Sequence, residues 1–341
     1  MERADRDLAF ILRYENVAWY ENGMVRILDR RIYPVKTEYV SCKTHREVAQ
    51  ALTDMVTQSG GPYTAAGMGM ALAAYECRDM KAEEQLKFLR QASETIATAR
   101  PTTVAKMRKS THSALSAGEK ALSEGGNVVD AVFEQALKDT DKRYQTYEII
   151  GRFLAAKFPP GGTVMTQCWA ETVVGMMLRA CRENNNNIKV ICPETRPYYQ
   201  GARLTASCVR DMGFDVTVIT DNMPAYVMEK KNVDVFTSAA DVICMDGHIV
   251  NKIGTFQIAL AAHYRGIPYY VSGNPNKAHE LISSVNIEER DPELVLHSLD
   301  TKITMDGVKG YYPAFDITPP HFVGGVVTDK GIYSPYNLRA Y

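Results

Sequence analysis

The stretch TQCWAET, residues 166–172, places a single cysteine, Cys168, where it could do chemistry. Val164 and Met165 ahead of it are typical of a short apolar strand, and VVGMMLRAC behind it is typical of a helix. Ligands of open α/β sheets bind at the carboxyl ends of strands, and a helix N-terminus lowers the pKa of a thiol. Cys168 is therefore either a reactive thiol directed into a cleft or a small buried core residue, which is the commoner state of a lone cysteine.

Polar side chains follow the other expected strands at the same sheet edge. PETRPYYQGARLT follows IKVIC and carries Gln200 and Arg203, while Asp241 follows FTSAA. MDGHIVNKIGT then carries Asn251 and Lys252 at an expected helix start, where such side chains suit a phosphate. Asp241 and Asn251 also have a structural explanation as caps, and the other three also suit solvated helix positions. Their convergence on one edge favours an anion site beside a thiol and a carboxylate.

The second half of the chain alternates short apolar strands with helices. The expected helices cover residues 172–183, 200–212, 224–231 and 253–264. The expected strands are TVMTQ, IKVICPE, DVTVIT, DVICMDG and IPYYVSG. This alternation predicts a parallel sheet with helices on both faces. Right-handed crossovers between parallel strands bring the strand ends to one edge.

The first half of the chain is expected to be mainly helical after a few short strands. VAWYENGMVRILD has Asn22-Gly23 between two apolar stretches, which is a strong hairpin signal. YPVKTEYVSC alternates and predicts a further strand. A helical pattern begins near Thr44 and is expected to end at Gly60-Gly61. The pattern changes at KFPPGG, so we expect a mainly helical N-terminal domain with short strands at 1–157 and an α/β catalytic domain at 158–341.

The composition argues against several classes of protein. The chain has 341 residues, and its 39 basic and 40 acidic residues give no basic footprint for nucleic acid. It has no run of about 18 apolar residues that would predict a membrane span, and the charged start MERADRDLAF lacks the apolar core of a signal peptide. Seven scattered cysteines form no CxxC pair, which favours a reducing cytoplasm over a disulfide framework.

The sequence lacks the motifs of the common cofactor sites. It contains neither a G-x-G-x-x-G turn for a dinucleotide nor a G-x-x-x-x-G-K-[ST] loop for a nucleoside triphosphate. Its histidines do not cluster at metal-ligand spacing. We therefore expect no cofactor and no metal, and an anion site that is built from side chains.

The chain resembles the methylthioribose-1-phosphate isomerase group in the stretches ETRPYYQGARLT, VITDNM, AAD before GHIVNKIGTFQIALAAHYRGIPYYV, and IEER. Relatives of that group are ribose-1,5-bisphosphate isomerases and the regulatory subunits of the eukaryotic exchange factor for translation initiation. The first half is similar in WYENGMVRILDRRIYPVKTEYVSCKTHREVAQALTDMV and ARPTTVAKM. The resemblance implies a helical N-terminal domain with a small β portion, a Rossmann-like C-terminal domain and a homodimer.

The resemblance also implies which residues form the site. It places a catalytic cysteine at Cys168 and a catalytic aspartate at Asp241. It places phosphate contacts at Arg100, Gln200, Asn251 and Lys252. The regulatory subunits generally lack the cysteine and the aspartate as a pair, so their joint presence here favours an enzyme.

The activity implied by the resemblance is aldose-to-ketose isomerisation of a pentose 1-phosphate in methionine salvage. The most specific expectation is conversion of 5-methylthioribose 1-phosphate into 5-methylthioribulose 1-phosphate. Asp241 is expected to protonate the ring oxygen, with a pKa raised by an apolar surround. Cys168 is expected to move a proton between C1 and C2 as a thiolate, with an internal hydride shift as the competing scheme. The alternatives are isomerisation of ribose 1,5-bisphosphate or 5-deoxyribose 1-phosphate, and a non-catalytic regulatory subunit.

Four positions depart from the pattern of the methylthioribose enzymes. Ser59 stands where those enzymes have a phosphate-binding arginine, and Trp169 stands where an asparagine usually follows the cysteine. Val242 replaces an arginine, and His248 replaces an aspartate. We therefore expect a reshaped sugar pocket. Either another basic residue such as Arg203 takes the place of the missing arginine, or the natural substrate differs from the usual one of that group.

Overall fold

The computed structural model describes residues 3–100 and 104–341 of the chain. The described chain divides into two compact units, one that reaches to Gln145 and one from Thr146 to Tyr341. The chain passes from the first unit to the second within one long helix, Val128–Ala155. Among the described residues, no helix combines the length and the apolar character that a membrane crossing requires.

Three short antiparallel strands belong to the first unit: β1 Ala18–Glu21, β2 Met24–Leu28 and β3 Tyr39–Cys42. Asn22 and Gly23 join β1 to β2 with φ of 50° and 73°, the left-handed values that a tight hairpin turn requires. The predicted hairpin is therefore confirmed. The prediction of a strand over the whole of YPVKTEYVSC is wrong in its first half, since β3 starts only at Tyr39. Pro34 lies in this first half and has no N–H, so it cannot donate a hydrogen bond to a neighbouring strand.

The helices of the first unit contact one central helix that is buried on all sides. They are α1 Tyr14–Val17, α2 His45–Thr53, α3 Gly61–Glu76, α4 Ala82–Ala97, α5 Val104–Glu124 and α6 Val128–Ala155, which continues into the second unit. The central helix is α3, as its continuous small and apolar sequence favours. The predicted helix end at Gly60-Gly61 is wrong, because α2 ends at Thr53 and Gly61 begins α3. Pro62 fits the first turn of α3, where a missing N–H leaves no bond unmade.

The second unit alternates strands and helices. Its strands are β4 Thr163–Met165, β5 Lys189–Pro193, β6 Asp215–Ile219, β7 Val233–Ala239, β8 Val242–Ile243, β9 Ile249–Lys252, β10 Tyr269–Ser272, β11 His297–Ser298, β12 Thr301–Lys302, β13 Phe315–Thr318, β14 Gly325–Thr328 and β15 Gly331–Tyr333. Its helices after α6 are α7 Thr172–Glu183, α8 Ala206–Asp211, α9 Pro224–Lys230, α10 Thr255–Tyr264 and α11 Glu293–Leu296. A π-helical turn, Gly201–Thr205, leads into α8.

The main sheet of the second unit has the order β15-β14-β10-β7-β4-β5-β6. Its strands pair in parallel except for β15, which is antiparallel to β14. The predicted mixed α/β fold with a parallel sheet is confirmed. The chain runs outward from β4 through β5 to β6, and then returns to β7 on the other side of β4. The carboxyl end of β4 is therefore a topological switch point, where open α/β sheets bind ligands.

A smaller antiparallel sheet contains β8, β9 and β13. The prediction of DVICMDG as a strand of the parallel sheet is wrong, because only Val242–Ile243 is extended and it pairs antiparallel with β9. The intervening turn is closed by a 2.9 Å hydrogen bond from the Cys244 N–H to the His248 carbonyl. The expected helix start at Asn251 and Lys252 is also wrong: these residues end β9, and α10 begins at Thr255.

Candidate active site

Cys168 lies in a tight turn between β4 and α7, at the switch point of the main sheet. Cys168 and Glu171 have φ of 57° and 48°, left-handed values that cost about 1–3 kcal/mol for residues other than glycine. The Thr205 hydroxyl donates a hydrogen bond to the Cys168 carbonyl and so ties this turn to the π-helical turn after β5. The position of the thiol is therefore set by two neighbouring strand ends.

The Cys168 thiol is protonated at neutral pH. Burial raises its pKa to about 11, although the Lys252 ammonium and the Trp169 backbone N–H favour the thiolate. The carboxylates of Asp241 and Asp221 raise the pKa of Cys168 further. The expectation that Cys168 rests as a thiolate is therefore wrong. Helix α7 begins only at Thr172, and burial outweighs the nearby positive charge.

Asp241 lies just beyond the carboxyl end of β7, as predicted. Its backbone N–H donates a 2.9 Å hydrogen bond to the Val250 carbonyl of β9. Its negative charge raises the pKa of both Cys168 and Lys252. The expectation of an apolar surround is wrong, because Asp241 is an exposed residue. The structure thus brings the thiol and the carboxyl group together, with the carboxyl group open to solvent.

Asn251 and Lys252 are buried at the end of β9, with relative exposures of 6% and 5%. The solvated explanation of Lys252 is therefore wrong. Lys252 Nζ lies 4.9 Å from the ring centroid of Phe315 and 5.9 Å from that of Tyr312. Among residues 3–100 and 104–341 it meets no hydrogen-bond acceptor. Burial lowers the pKa of Lys252, so this ammonium gains from any anion that reaches it.

Gln200 is buried at the start of the π-helical turn, with a relative exposure of 5%. Its side-chain Oε1 has no hydrogen-bond partner among the described residues. The backbone of the next residue, Gly201, approaches the Pro193 carbonyl oxygen so closely that a Cβ there would lie 1.8 Å from it. This approach fixes Gln200 beside the carboxyl end of β5. Its side-chain Oε1 can accept a hydrogen bond from a ligand there. Arg203, the expected substitute cation, lies half-buried in the same turn.

Arg100 and Ser59 belong to the first unit. Arg100 follows α4 and is half-buried, and Ser59 has φ of 61° shortly before α3 begins. The rest of the ARPTT stretch, residues 101–103, lies outside the described residues. The phosphate contact expected of Arg100 stays a prediction.

Sequence reasoning missed three residues around Lys252. Phe315 supplies the nearer ring, and Arg290 lies 5.6 Å from the centroid of that same ring. The Asp316 carboxylate accepts hydrogen bonds from the first turn of α10, directly after β9. Arg290 belongs to IEER, a stretch whose only signal in the sequence is its resemblance to the isomerase group. The other two residues lie more than 60 positions after Lys252 in the chain and carry no local signal.

The site combines a neutral thiol, an exposed carboxyl group and a buried ammonium that has no hydrogen-bond acceptor in the described part of the chain. Such a set can hold an anion at the ammonium and pass protons between the thiol and the carboxyl group. Within the described ranges, no three His, Cys, Asp or Glu side chains are grouped in a way that could hold a metal ion. The residues therefore favour proton-transfer chemistry on an anionic small molecule.

The sequence profile described as the Initiation factor 2 subunit family matches residues 61–335. The chain belongs to this family. The methylthioribose-1-phosphate isomerase of Thermotoga maritima is 35% identical to this chain over 339 residues, which cover 95% of this chain and 96% of that protein. The enzyme of the same name from Thermosipho melanesiensis is 35% identical over 347 residues, which cover 96% and 98% of the two chains.

Two solved structures have the same fold as this chain. The 5-methylthioribose 1-phosphate isomerase of Pyrococcus horikoshii has a TM-score of 0.84 and 29% identity, and the match covers 95% of this chain and 94% of that one. Subunit delta of the translation initiation factor eIF-2B from A. fulgidus has a TM-score of 0.80 and 31% identity, with coverage of 94% and 96%. The chain is thus similar both to proteins named as isomerases and to a protein named as a translation factor subunit, so the choice between these two functions depends on the site.

Proposed function

We propose that the chain is an aldose–ketose isomerase that converts 5-methylthioribose 1-phosphate into 5-methylthioribulose 1-phosphate, a step of methionine salvage. One observation carries the proposal: at the switch point of the sheet, the charges of Lys252 and Asp241 shift the pKa of the Cys168 thiol in opposite directions. The curated relatives from Thermotoga maritima and Thermosipho melanesiensis, which bear the name of this isomerase, support the choice of substrate.

The proposed reaction moves hydrogen between two carbons while the phosphate stays on O1. The phosphate blocks the anomeric oxygen, so the C1–O4 bond breaks only when the ring oxygen receives a proton. Loss of the C2 proton then gives an enol phosphate. A proton added at C1 and another removed from O2 complete the ketose. Positioned acids and bases contribute about 10²–10⁴-fold to such proton transfers.

Cys168 and Asp241 carry these protons in the proposed mechanism. Because Cys168 rests as a thiol, it first passes its proton to the Asp241 carboxylate, and Asp241 then protonates the ring oxygen. The Cys168 thiolate removes the C2 proton, and the resulting thiol exchanges its hydrogen with solvent through the exposed Asp241 carboxyl group before it delivers a proton to C1. Asp241 takes the O2 proton and gives it back to the thiolate, so both groups finish as they began.

An internal hydride shift from C2 to C1 is the competing scheme, and solvent deuterium separates the two. In D₂O, proton transfer through Cys168 places solvent deuterium on C1 of the ketose, which mass spectrometry and NMR detect. A hydride shift carries the C2 hydrogen to C1 directly. Complete conversion without deuterium at C1 would overturn the role of Cys168 as the proton carrier.

The phosphate of the substrate is proposed to bind Arg100, Gln200, Asn251 and Lys252. The buried Lys252 ammonium, which lies near the rings of Phe315 and Tyr312, is the strongest support. A charge-assisted hydrogen bond contributes about 1.5–3 kcal/mol, so Lys252→Met should raise KM by about tenfold or more. Lys189→Met is the matched control, because Lys189 is exposed at the first residue of β5. An unchanged KM in Lys252→Met would exclude this phosphate contact.

A second candidate function is that of a non-catalytic subunit related to translation initiation factors. The similarity to the A. fulgidus subunit, at 31% identity, favours it. The deciding experiment offers the protein 5-methylthioribose 1-phosphate, ribose 1,5-bisphosphate and 5-deoxyribose 1-phosphate separately, and measures ketose formation from each. Turnover of the first supports the proposal, and turnover of only another reassigns the substrate. No turnover of any supports the non-catalytic subunit.

We further propose a homodimer that acts in the cytoplasm on a sugar phosphate, without nucleic acid, redox cofactor or metal ion. Exposed aromatic and aliphatic side chains on α9 and α10 support self-association: Tyr226 is 67%, Leu260 42% and Tyr264 84% exposed. Light scattering coupled to size-exclusion chromatography measures the mass in solution, and a monomer would overturn the dimer. Activity that survives dialysis against a chelator is expected, because side chains carry every proposed proton step.

A further inference from the structure

Arg290 approaches the same aromatic ring as Lys252. Its guanidinium carbon lies 5.6 Å from the ring centroid of Phe315, and Lys252 Nζ lies 4.9 Å from that centroid. Arg290 also lies 6.0 Å from the ring centroid of Tyr198, and only 12% of its side chain is exposed. Two largely buried cations therefore share one ring, although like charges repel each other in such surroundings.

Backbone hydrogen bonds hold this arrangement in place. The Arg290 N–H donates to the Tyr312 carbonyl at 2.9 Å, and the Ala314 N–H donates to the Glu288 carbonyl at 2.8 Å. The Ile253 N–H donates in turn to the Ala314 carbonyl at 3.1 Å. The IEER segment is thus tied through 312–314 to the residue that follows Lys252.

The two cations differ in their partners. The Glu288 carboxylate accepts hydrogen bonds from Arg290 Nε at 2.8 Å and Nη2 at 3.3 Å. Lys252 has aromatic contacts and, among the residues that the structure describes, no carboxylate within ion-pair distance. The paired cation is therefore held by the protein itself, while the unpaired one is left for an anion.

Charged and titratable groups face Lys252 from every neighbouring element. They are Cys168 after β4, Asp241 after β7, Glu288 and Arg290 before α11, Tyr312 before β13, and Asp316 within β13. Burial lowers the pKa of Lys252, and the charge of Arg290 lowers it further. Cys168, Asp241 and Glu288 act in the opposite direction.

We propose that Arg290 is a positioning residue that acts across the Phe315 ring to direct the unpaired Lys252 ammonium toward a bound phosphate. The proposal rests on the proposed phosphate contact of Lys252. Of these two cations only Lys252 touches the phosphate, yet the anion relieves the repulsion between both. Glu288 weakens the repulsion between Arg290 and Lys252 because it neutralises part of the Arg290 charge.

Calorimetric binding of inorganic phosphate to the full chain tests this proposal. Affinity is measured at a series of alkaline pH values, with sulfate as a reference anion whose charge does not titrate there. In Arg290→Met we expect roughly tenfold weaker binding, and the pH at which binding is lost should move upward because the pKa of Lys252 rises. In Glu288→Gln that pH should move downward, because a charge that stabilises the ammonium is gone.

Two further variants make the outcome decisive. Arg290→Lys keeps the charge and should keep the pH midpoint near the wild-type value. Arg265→Met is the matched control, because it breaks another Arg–Glu pair, with Glu229 at 2.6 Å, at the end of α10. Midpoints that stay fixed, or that move in the same direction in Arg290→Met and Glu288→Gln, would overturn the proposal, provided that circular dichroism shows folded protein.

The phosphate measurement also separates this proposal from the proposed isomerase activity, because it needs no turnover. Opposite shifts of the midpoint support the role of Arg290 even if no ketose forms from any substrate. Wild-type binding of phosphate by Lys252→Met would overturn the anion site itself, and with it the role of Arg290.

Discussion

The carboxylate of Asp316 accepts a 2.7 Å hydrogen bond from the backbone N–H of Gly254, and the same oxygen accepts one of 3.1 Å from the Phe256 N–H. These donors belong to the start of α10, whose first four N–H groups have no partner within the helix. Asp316 therefore caps α10 from β13 and holds the two residues between Lys252 and the helix. Burial raises the pKa of Asp316 to about 6, although the two backbone hydrogen bonds favour the ionised form.

The free energy of unfolding should depend on the ionisation of Asp316 between about pH 4 and pH 6. The native state binds this proton more tightly than the unfolded chain, in which an aspartate has a pKa of about 3.9. The contribution of Asp316 to the free energy of unfolding is therefore most favourable below about pH 4. It falls by up to about 3 kcal/mol as the pH rises to about 6. Urea unfolding across this range should show it as a pH-dependent difference between wild type and Asp316→Asn. A difference that stays constant with pH would contradict the raised pKa.

Cys168→Ser should leave the fold intact and reduce isomerase turnover by about 10²–10⁴-fold. Serine preserves the size of the side chain but holds its proton too tightly to act as the base at C2. Turnover of 5-methylthioribose 1-phosphate and the melting temperature are measured together. Cys192→Ser is the comparison variant, because Cys192 is buried at the end of β5. A folded Cys168→Ser protein with near-native turnover would remove the proposed role.

Asp241→Asn should abolish turnover while the protein still binds the substrate. The amide has nearly the same shape as the carboxyl group but cannot pass a proton from the thiol to the ring oxygen. Because Asp241 is exposed, the substitution should cost little stability. Binding is measured by calorimetry and turnover by ketose formation. Full activity of the amide variant would leave Asp241 as a structural residue only.

Gly201→Ala should destabilise the π-helical turn that carries Gln200. The added Cβ would lie 1.8 Å from the Pro193 carbonyl oxygen, so the backbone of β5 or of the turn must move. Overpacking of this kind typically costs about 1–3 kcal/mol, and occasionally more. Gly126→Ala is the matched control, since the nearest atom to a Cβ there is 3.7 Å away. Equal melting temperatures of the two variants would contradict the close approach.

Strands β4, β5, β6, β7 and β10 of the main sheet and its strand-end site could be predicted from the sequence because each of these strands carries its own apolar run, whereas β14 and β15 were not among the expected strands. Cys168, Asp241 and Gln200 lie at the ends of β4, β7 and β5, as that pattern required. The surroundings of Lys252 could not be predicted in this way. Strand β8 has only two residues and therefore no period to detect. The ring of Phe315 reaches Lys252 only because β13 pairs with β9 across a long insertion.

The protonation state of Cys168 depends on contacts of the same long-range kind. The strand-to-helix position favoured a thiolate, but burial sets the pKa of the thiol at about 11. Burial is a property of the folded surroundings, which local sequence does not encode. The charge of Lys252 opposes that rise only because β9 comes close to the Cys168 turn.

The reactivity of Cys168 toward iodoacetamide should therefore respond to its charged neighbours in opposite directions. Only the thiolate reacts, so below about pH 11 the rate should rise about tenfold per pH unit. Lys252→Met should slow the reaction, because loss of the cation raises the pKa of the thiol, and Asp241→Asn should speed it. Mass spectrometry of the Cys168 peptide gives the rate, and the other six cysteines are buried. Exposed Lys189→Met serves as the control; if Lys252→Met reacts as fast as this control, the two groups do not share one site.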